Sequence, residues 1–257
     1  MSGHDPRGAR AVAELIEGER SADSEHVTID GPDGAPVPAI HAWPTDGRAV
    51  AGVVVHPDIM GIRPLFDDLC RRLATHGFAV GAPEPFARAR PEVRDATDVA
   101  ERMNAVASLD DELQLGDLVA TADMLRDRDG VGAVSVIGFC MGGMQVLKAA
   151  ATGRFDRAVA FYGMIRVPEQ WQGPKLQEPL ATAARVCPTL AIFGAVDAWT
   201  PPADIEALRD AWRTRDDCEV VVVPEADHGF VHDPARPAHR ADAAAAVWQR
   251  ALAWLAR

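Results

Sequence analysis

A cysteine set among glycines, Gly138-Phe139-Cys140-Met141-Gly142-Gly143, is the sharpest chemical feature of the sequence. Small residues two positions to either side let the chain reverse tightly enough to thrust a thiol out of the turn. A helix beginning directly after it aims unpaired N–H groups at the sulfur and favours the thiolate, the form that attacks a carbonyl. Such an attack also needs a base for the thiol proton and a carboxylate to hold the base in one tautomer. His228 in Ala226-Asp227-His228-Gly229-Phe230 and Asp197 in Gly194-Ala195-Val196-Asp197 are the candidates. Asp227 is a rival acid, but neighbouring side chains of an extended turn point apart, which favours Asp197. Together the three residue types can perform acyl transfer through a thioester.

These residues need a frame that brings positions 140, 197 and 228 together. From about residue 50 onward, short β-branched runs at 50–55, 78–80, 131–139, 158–162, 189–193 and 219–223 alternate with helical periodicity. That alternation predicts a parallel sheet covered by helices on both faces. Two earlier runs, 26–29 and 37–43, flank the turn-rich Gly31-Pro32-Asp33-Gly34 and predict a hairpin, giving about eight strands. Helical stripes fall at Phe66, Leu69, Cys70 and Leu73, at Leu115 to Leu125, and at Ala244 to Leu255. Cys140, Asp197 and His228 each fall just past the C-terminal end of a predicted strand, where open α/β sheets bind their ligands. No linker or repeat interrupts the pattern, so we expect one domain over residues 1–257, with 1–25 as an N-terminal extension.

The chain has 257 residues, 48% of them hydrophobic, enough for a large core without staples. Its net charge of −12, without clustered Lys and Arg, argues against nucleic acid as a partner. The first 20 residues lack the apolar run of a secretory signal and no later segment is apolar enough to span a bilayer, so a soluble cytoplasmic protein is expected. The four cysteines, Cys70, Cys140, Cys187 and Cys218, are widely and irregularly spaced, which favours reduced thiols over bridges, and no structural metal is expected.

The nucleophile, acid, histidine order is that of the α/β-hydrolase fold. With a cysteine at the elbow, and with the acid and histidine loops quoted above, the chain resembles the dienelactone hydrolase family from about His26 to its C-terminus. The resemblance implies a Cys140, His228, Asp197 triad, no cofactor, and a small-molecule ester or lactone as substrate. His56-Pro57-Asp58-Ile59-Met60-Gly61 is similar to the family's oxyanion loop. By that likeness the N–H groups of Ile59 and Met141 hold the oxyanion, and Asp58, where the family usually has Glu, is the carboxylate that contacts the resting cysteine. Ala82-Pro83-Glu84-Pro85-Phe86-Ala87-Arg88 is similar to a segment whose arginine binds a substrate carboxylate, which implies that Arg88 receives an anionic substrate. Four residues after the catalytic histidine, where well-known members carry a second arginine, this chain has His232. Segments 63–66 and 166–171, with Trp199, are expected to shape specificity. Two other readings stand beside this one: a broad carboxylesterase or thioesterase with the same triad, and a thiol redox sensor on the same fold.

Overall fold

A computed structural model describes residues 17–257. Its centre is an eight-stranded sheet: β1 (Ala22–Asp30), β2 (Pro36–Pro44), β3 (Ala51–His56), β4 (Phe78–Pro83), β5 (Val134–Phe139), β6 (Ala158–Phe161), β7 (Thr189–Gly194) and β8 (Cys218–Val223). The order across the sheet is β1-β2-β4-β3-β5-β6-β7-β8. The hairpin β1–β2 is antiparallel and β2 meets β4 antiparallel; every later pairing is parallel. This is the mostly parallel sheet that the alternation predicts, and it agrees with the α/β-hydrolase fold that the order of Cys140, Asp197 and His228 and the resemblance implied. β1 begins at Ala22, inside the stretch expected to be an extension, and residues 1–16 lie outside the described residues.

Helices fill both faces: α1 (Pro64–Ala74), α2 (Pro91–Arg94), α3 (Val99–Ala105), α4 (Asp111–Asp129), α5 (Met141–Ala149), α6 (Pro202–Trp212) and α7 (Ala241–Leu255). Strand side chains alternate between two cores, as a period of two requires. Val53, Val55, Ile137, Phe139, Val159 and Phe161 pack with Phe66, Leu73 and Trp248 from α1 and α7. Val54, Val134, Val136, Ala158 and Ala160 pack with Leu118, Leu125, Val146 and Leu208 from α4, α5 and α6. At the centre of the first core Phe139 stacks on Phe161 with ring centroids 5.1 Å apart and lies 5.7 Å from Trp248. Truncating such a buried ring costs about 3–5 kcal/mol. Thus the strand that carries the elbow is pinned one residue before its cysteine.

The longest helix, α4, starts at Asp110, whose side chain accepts the Glu112 N–H, and stops at Gly130, where φ is 66°. The short helices α2 and α3 have no place in the sequence expectation. Between them they bury one side chain, Arg102, so neither has an apolar stripe to announce it. No helix among the described residues is long and apolar enough to cross a membrane.

Candidate active site

β5 ends at Phe139, α5 starts at Met141, and Cys140 turns the corner with φ 57° and ψ −121°. A β-carbon at Gly138 would stand 2.5 Å from the Gly142 carbonyl oxygen, and one at Gly142 2.3 Å from those of His56 and Pro57. The two glycines flanking the elbow are therefore required by its closeness. Cys140, Tyr162 and Glu225 are the non-glycine residues with positive φ among the described residues, and they follow β5, β6 and β8. Backbone strain of about 1–3 kcal/mol each is thus gathered at one end of the sheet.

The acid and histidine loops are stitched together by backbone: Ala195 N–H donates to the Val223 carbonyl at 2.9 Å and Val196 N–H to that of Ala226 at 3.1 Å. This sets Asp197 Oδ2 2.8 Å from His228 Nδ1. The other Asp197 oxygen accepts the Trp199 N–H at 2.8 Å, so the carboxylate cannot turn away. Asp227 Oδ1 accepts the backbone N–H of His228 at 2.7 Å and does not meet the imidazole. With Nδ1 engaged by Asp197, Nε2 is the ring nitrogen left free, and nearby Cys140 is among the groups that raise the His228 pKa. Burial opposes a charge on this ring, but the neighbouring Cys140 and the Asp197 carboxylate outweigh it, and the pKa of His228 is pushed up to about 10.

The loop after β3 presents the Ile59 N–H, which has no acceptor among the described residues. Met141 N–H, in the first turn of α5, has no intrahelical acceptor by geometry. Glu84 holds the Ile59 loop in place: Oε2 accepts the Ile62 N–H at 2.8 Å, and Oε1 accepts the Phe86 N–H at 3.1 Å and Arg102 Nη1 at 3.2 Å. Burial raises the Glu84 pKa, while these donors work in the opposite direction.

Two expected pocket residues lie elsewhere in the network. Arg88 was expected to receive a substrate carboxylate; its guanidinium instead binds Asp117 at 2.6 and 2.9 Å and Asp33 at 2.7 and 2.8 Å. No sequence window shows this, since the partners are 55 and 29 positions away. Asp58 was expected to contact the resting cysteine or the substrate. It is 3% exposed and accepts from Met60 N–H at 2.9 Å, from Arg63 at 2.7 and 2.9 Å, and from His232 Nε2 at 2.8 Å. Burial alone raises a carboxyl pKa, but the hydrogen bonds from His232 and Arg63 hold Asp58 well below the usual carboxylate range. Beyond His232 the chain of contacts continues to the hydroxyl of Tyr162, which meets His232 Nδ1. Tyr162 follows β6 on the same sheet edge as Cys140, and that position is the signal that could have singled it out.

An open cleft of about 560 Å³ adjoins His228 and is lined also by Arg236, Arg240 and Asp227. Arg240 pairs with Glu225, whereas the Arg236 guanidinium meets no carboxylate among the described residues and lies against Gly229. Trp199 stands 6.1 Å from the His228 ring and stacks at 5.3 Å on buried Trp171, so these two aromatics border the site; Arg166 instead pairs with Asp204. His228 and His232 have an i, i+4 spacing, but each serves its own aspartate, and no group of three candidate metal ligands occurs among the described residues.

A family model described as "Dienelactone hydrolase family" matches residues 37–257. A protein of Escherichia coli K12 named "Putative carboxymethylenebutenolidase" is 31% identical over 260 residues, covering 99% of this chain and 94% of its own. One of the same name from Salmonella typhimurium is 32% identical over 263 residues, covering 100% and 96%. Among solved structures, one described as "Putative Dienelactone Hydrolase" from Klebsiella pneumoniae superposes with a TM-score of 0.83 at 31% identity over 92% of this chain and 99% of that one. An esterase of Pyrobaculum calidifontis, at 18% identity and a TM-score of 0.67 over 97% and 90% of the two chains, shares the fold.

Proposed function

Because the chain belongs to the dienelactone hydrolase family, whose members are hydrolases of small-molecule esters and lactones, we propose that it cleaves such substrates through Cys140, His228 and Asp197. The observation that carries this reading is the strained elbow: Cys140 stands at φ 57° before a helix N-terminus, beside an imidazole whose Nδ1 is held by Asp197.

The Cys140 thiolate adds to the ester carbonyl, and the N–H groups of Ile59 and Met141 receive the oxyanion. His228, protonated at Nε2, gives its proton to the departing alkoxide as the tetrahedral adduct collapses to a thioester. It then takes a proton from water, which attacks the thioester and releases the acid and the thiolate. Asp197 keeps Nδ1 as the donor throughout, so only Nε2 exchanges protons with the reactants. No cofactor is needed for these steps. Cys140→Ala, assayed on a small aryl ester and an enol lactone, tests the reading: loss of turnover on both supports it, and unchanged turnover refutes it.

The engagement of Arg88 by Asp33 and Asp117 favours a broader esterase as the second reading, since the arginine expected to select anionic substrates is already neutralised. Arg236, beside His228, is the cation left to attract a carboxylate. Arg236→Ala separates the two: a selective loss on anionic esters supports anion recognition, and equal treatment of neutral and anionic esters supports the broader specificity.

A further inference from the structure

The sheet ends in two unlike edges. β1, at one side, carries Asp23, Glu25, His26 and Asp30, charges of the kind that keep a lateral strand from pairing with another chain. β8, at the other side, reads Cys218-Glu219-Val220-Val221-Val222-Val223, and all six residues are half-buried, whereas all six of neighbouring β7 are buried. Its valines are packed from above and below, Val221 and Val223 by the first core and Val220 and Val222 by the second, which leaves the side of the strand uncovered. The backbone decides which groups face outward. Thr189 N–H donates to the Asp217 carbonyl at 3.2 Å and Ala195 N–H to that of Val223 at 2.9 Å, so residues 217, 219, 221 and 223 turn toward β7. Cys218, Val220 and Val222 therefore point their N–H and C=O groups away from the sheet, and no loop or helix among the described residues meets them.

We propose that β8 is the surface through which two copies of this chain pair, edge to edge and antiparallel, about a two-fold axis beside Val220. The spacing of the outward groups suits a second copy. With Val220 opposite its own counterpart, Cys218 lies opposite Val222 of the second copy and Val222 opposite its Cys218. Each of these pairs then exchanges both of its N–H···O=C bonds, and no outward group is left over. Charge permits the same register. The net −12 of the chain repels a copy brought up at random, but the two acids of this edge are already balanced, Glu219 by Arg250 and Asp217 by Arg215. In this register Glu219 faces Val221 and Asp217 faces Val223, so no like charges stand opposite each other. The pairing is independent of the Cys140 reading given above.

The test is the solution mass of the full chain, by light scattering coupled to gel filtration. At about 50 µM, well above the micromolar dissociation constant of a modest interface, the unsubstituted protein is expected to run at twice the 27.5 kDa of one chain. Val220→Lys sets like charges against each other on the axis, and so does Val220→Glu. Each alone is expected to run as a single chain, and an equal mixture of the two to return to the doubled mass, because an ammonium then meets a carboxylate. Should the charged variants not fold, as judged by circular dichroism, Val222→Pro takes their place. It removes one outward N–H and none of the bonds to β7, and is expected to weaken the dimer at least about tenfold. A single-chain mass for the unsubstituted protein overturns the proposal and leaves the edge to a strand of another protein or of residues 1–16. A mass beyond two chains, a doubled mass that survives these substitutions, or a mixture that stays at one chain overturns it as well.

Discussion

Asp197 and Asp58 each hold a histidine at 2.8 Å, and the two histidines are four residues apart on one loop, yet their pKa values move in opposite directions. His228 faces a thiol with its free nitrogen, and its pKa is raised to about 10 despite burial. His232 faces the Tyr162 phenol, whose pKa is raised, lies between Phe139 and Phe66, and has its own pKa lowered by burial. The acids differ as well. Asp197 has one backbone donor, the Trp199 N–H, and the imidazole, whereas Asp58 has an arginine that already balances its charge. An aspartate–histidine pair is therefore not a catalytic device in itself; what the second ring nitrogen meets, and whether the carboxylate has another cation, decide whether it moves protons or holds loops together.

The comparison breaks most visibly in activity. His228→Gln is expected to lower kcat by about 10³-fold, the scale of a lost general acid–base, whereas His232→Gln lowers it only about tenfold. Steady-state kinetics on a small aryl ester checks both, and equal losses would erase the distinction. In stability the ranking reverses. His232→Leu leaves Asp58 and Tyr162 each one partner short in a dry site and should lower the unfolding free energy by about 2–3 kcal/mol in urea titrations. His228→Gln, bordering an open cleft, should cost less.

The two pairs should also differ with pH. A histidine whose folded pKa is raised from 6.5 to about 10 contributes its full stabilisation below pH 6.5 and loses it as pH climbs through 10. The stability gap between the unsubstituted protein and His228→Gln should thus narrow between pH 6 and pH 10. Asp58, whose carboxyl pKa is depressed, contributes above the ordinary carboxylate pKa of about 3.9 and loses its contribution only on further acidification. The gap to Asp58→Asn should hold steady over the range where the other closes. The smallest effects distinguish two arginines. Arg236→Ala is expected to raise KM for a carboxylate-bearing ester about tenfold and leave a neutral one unchanged, as one charge-assisted contact allows. Arg88→Ala should leave both KM values alone and lower stability by about 1–2 kcal/mol, since Asp117 loses its partner.

Much of this frame was legible in the sequence. The β-branched runs from residue 50 onward marked β3 to β8, because a buried parallel strand must be apolar on both faces, as Val53 to Val55 show by alternating between two cores, while the turn-rich Gly31-Pro32-Asp33-Gly34 marked the β1–β2 hairpin. The elbow could be read because Gly138 and Gly142 are forced by contacts within a few residues or with the adjacent strand end. What escaped were partnerships between distant charged side chains. Asp58 and His232 are 174 positions apart, and nothing local to either names the other. Arg88 had the right segment and the right chemistry for binding an anion, but its anions are two aspartates of the protein. Glu84, in that same segment, instead supports the Ile59 loop from beneath.

In the proposed reaction the carbonyl carbon becomes bonded to the Cys140 sulfur. Mixing the His228→Gln protein with p-nitrophenyl acetate, quenching in acid and taking its intact mass tests this directly, since release of the acyl group needs the missing base. The expected result is a mass increase of one acetyl group, mapped by peptide digestion to Cys140 and absent when Cys140→Ala is added. Hydrolysis of the ester by the unsubstituted protein with no adduct on Cys140, or undiminished hydrolysis after Cys140→Ala, would contradict it.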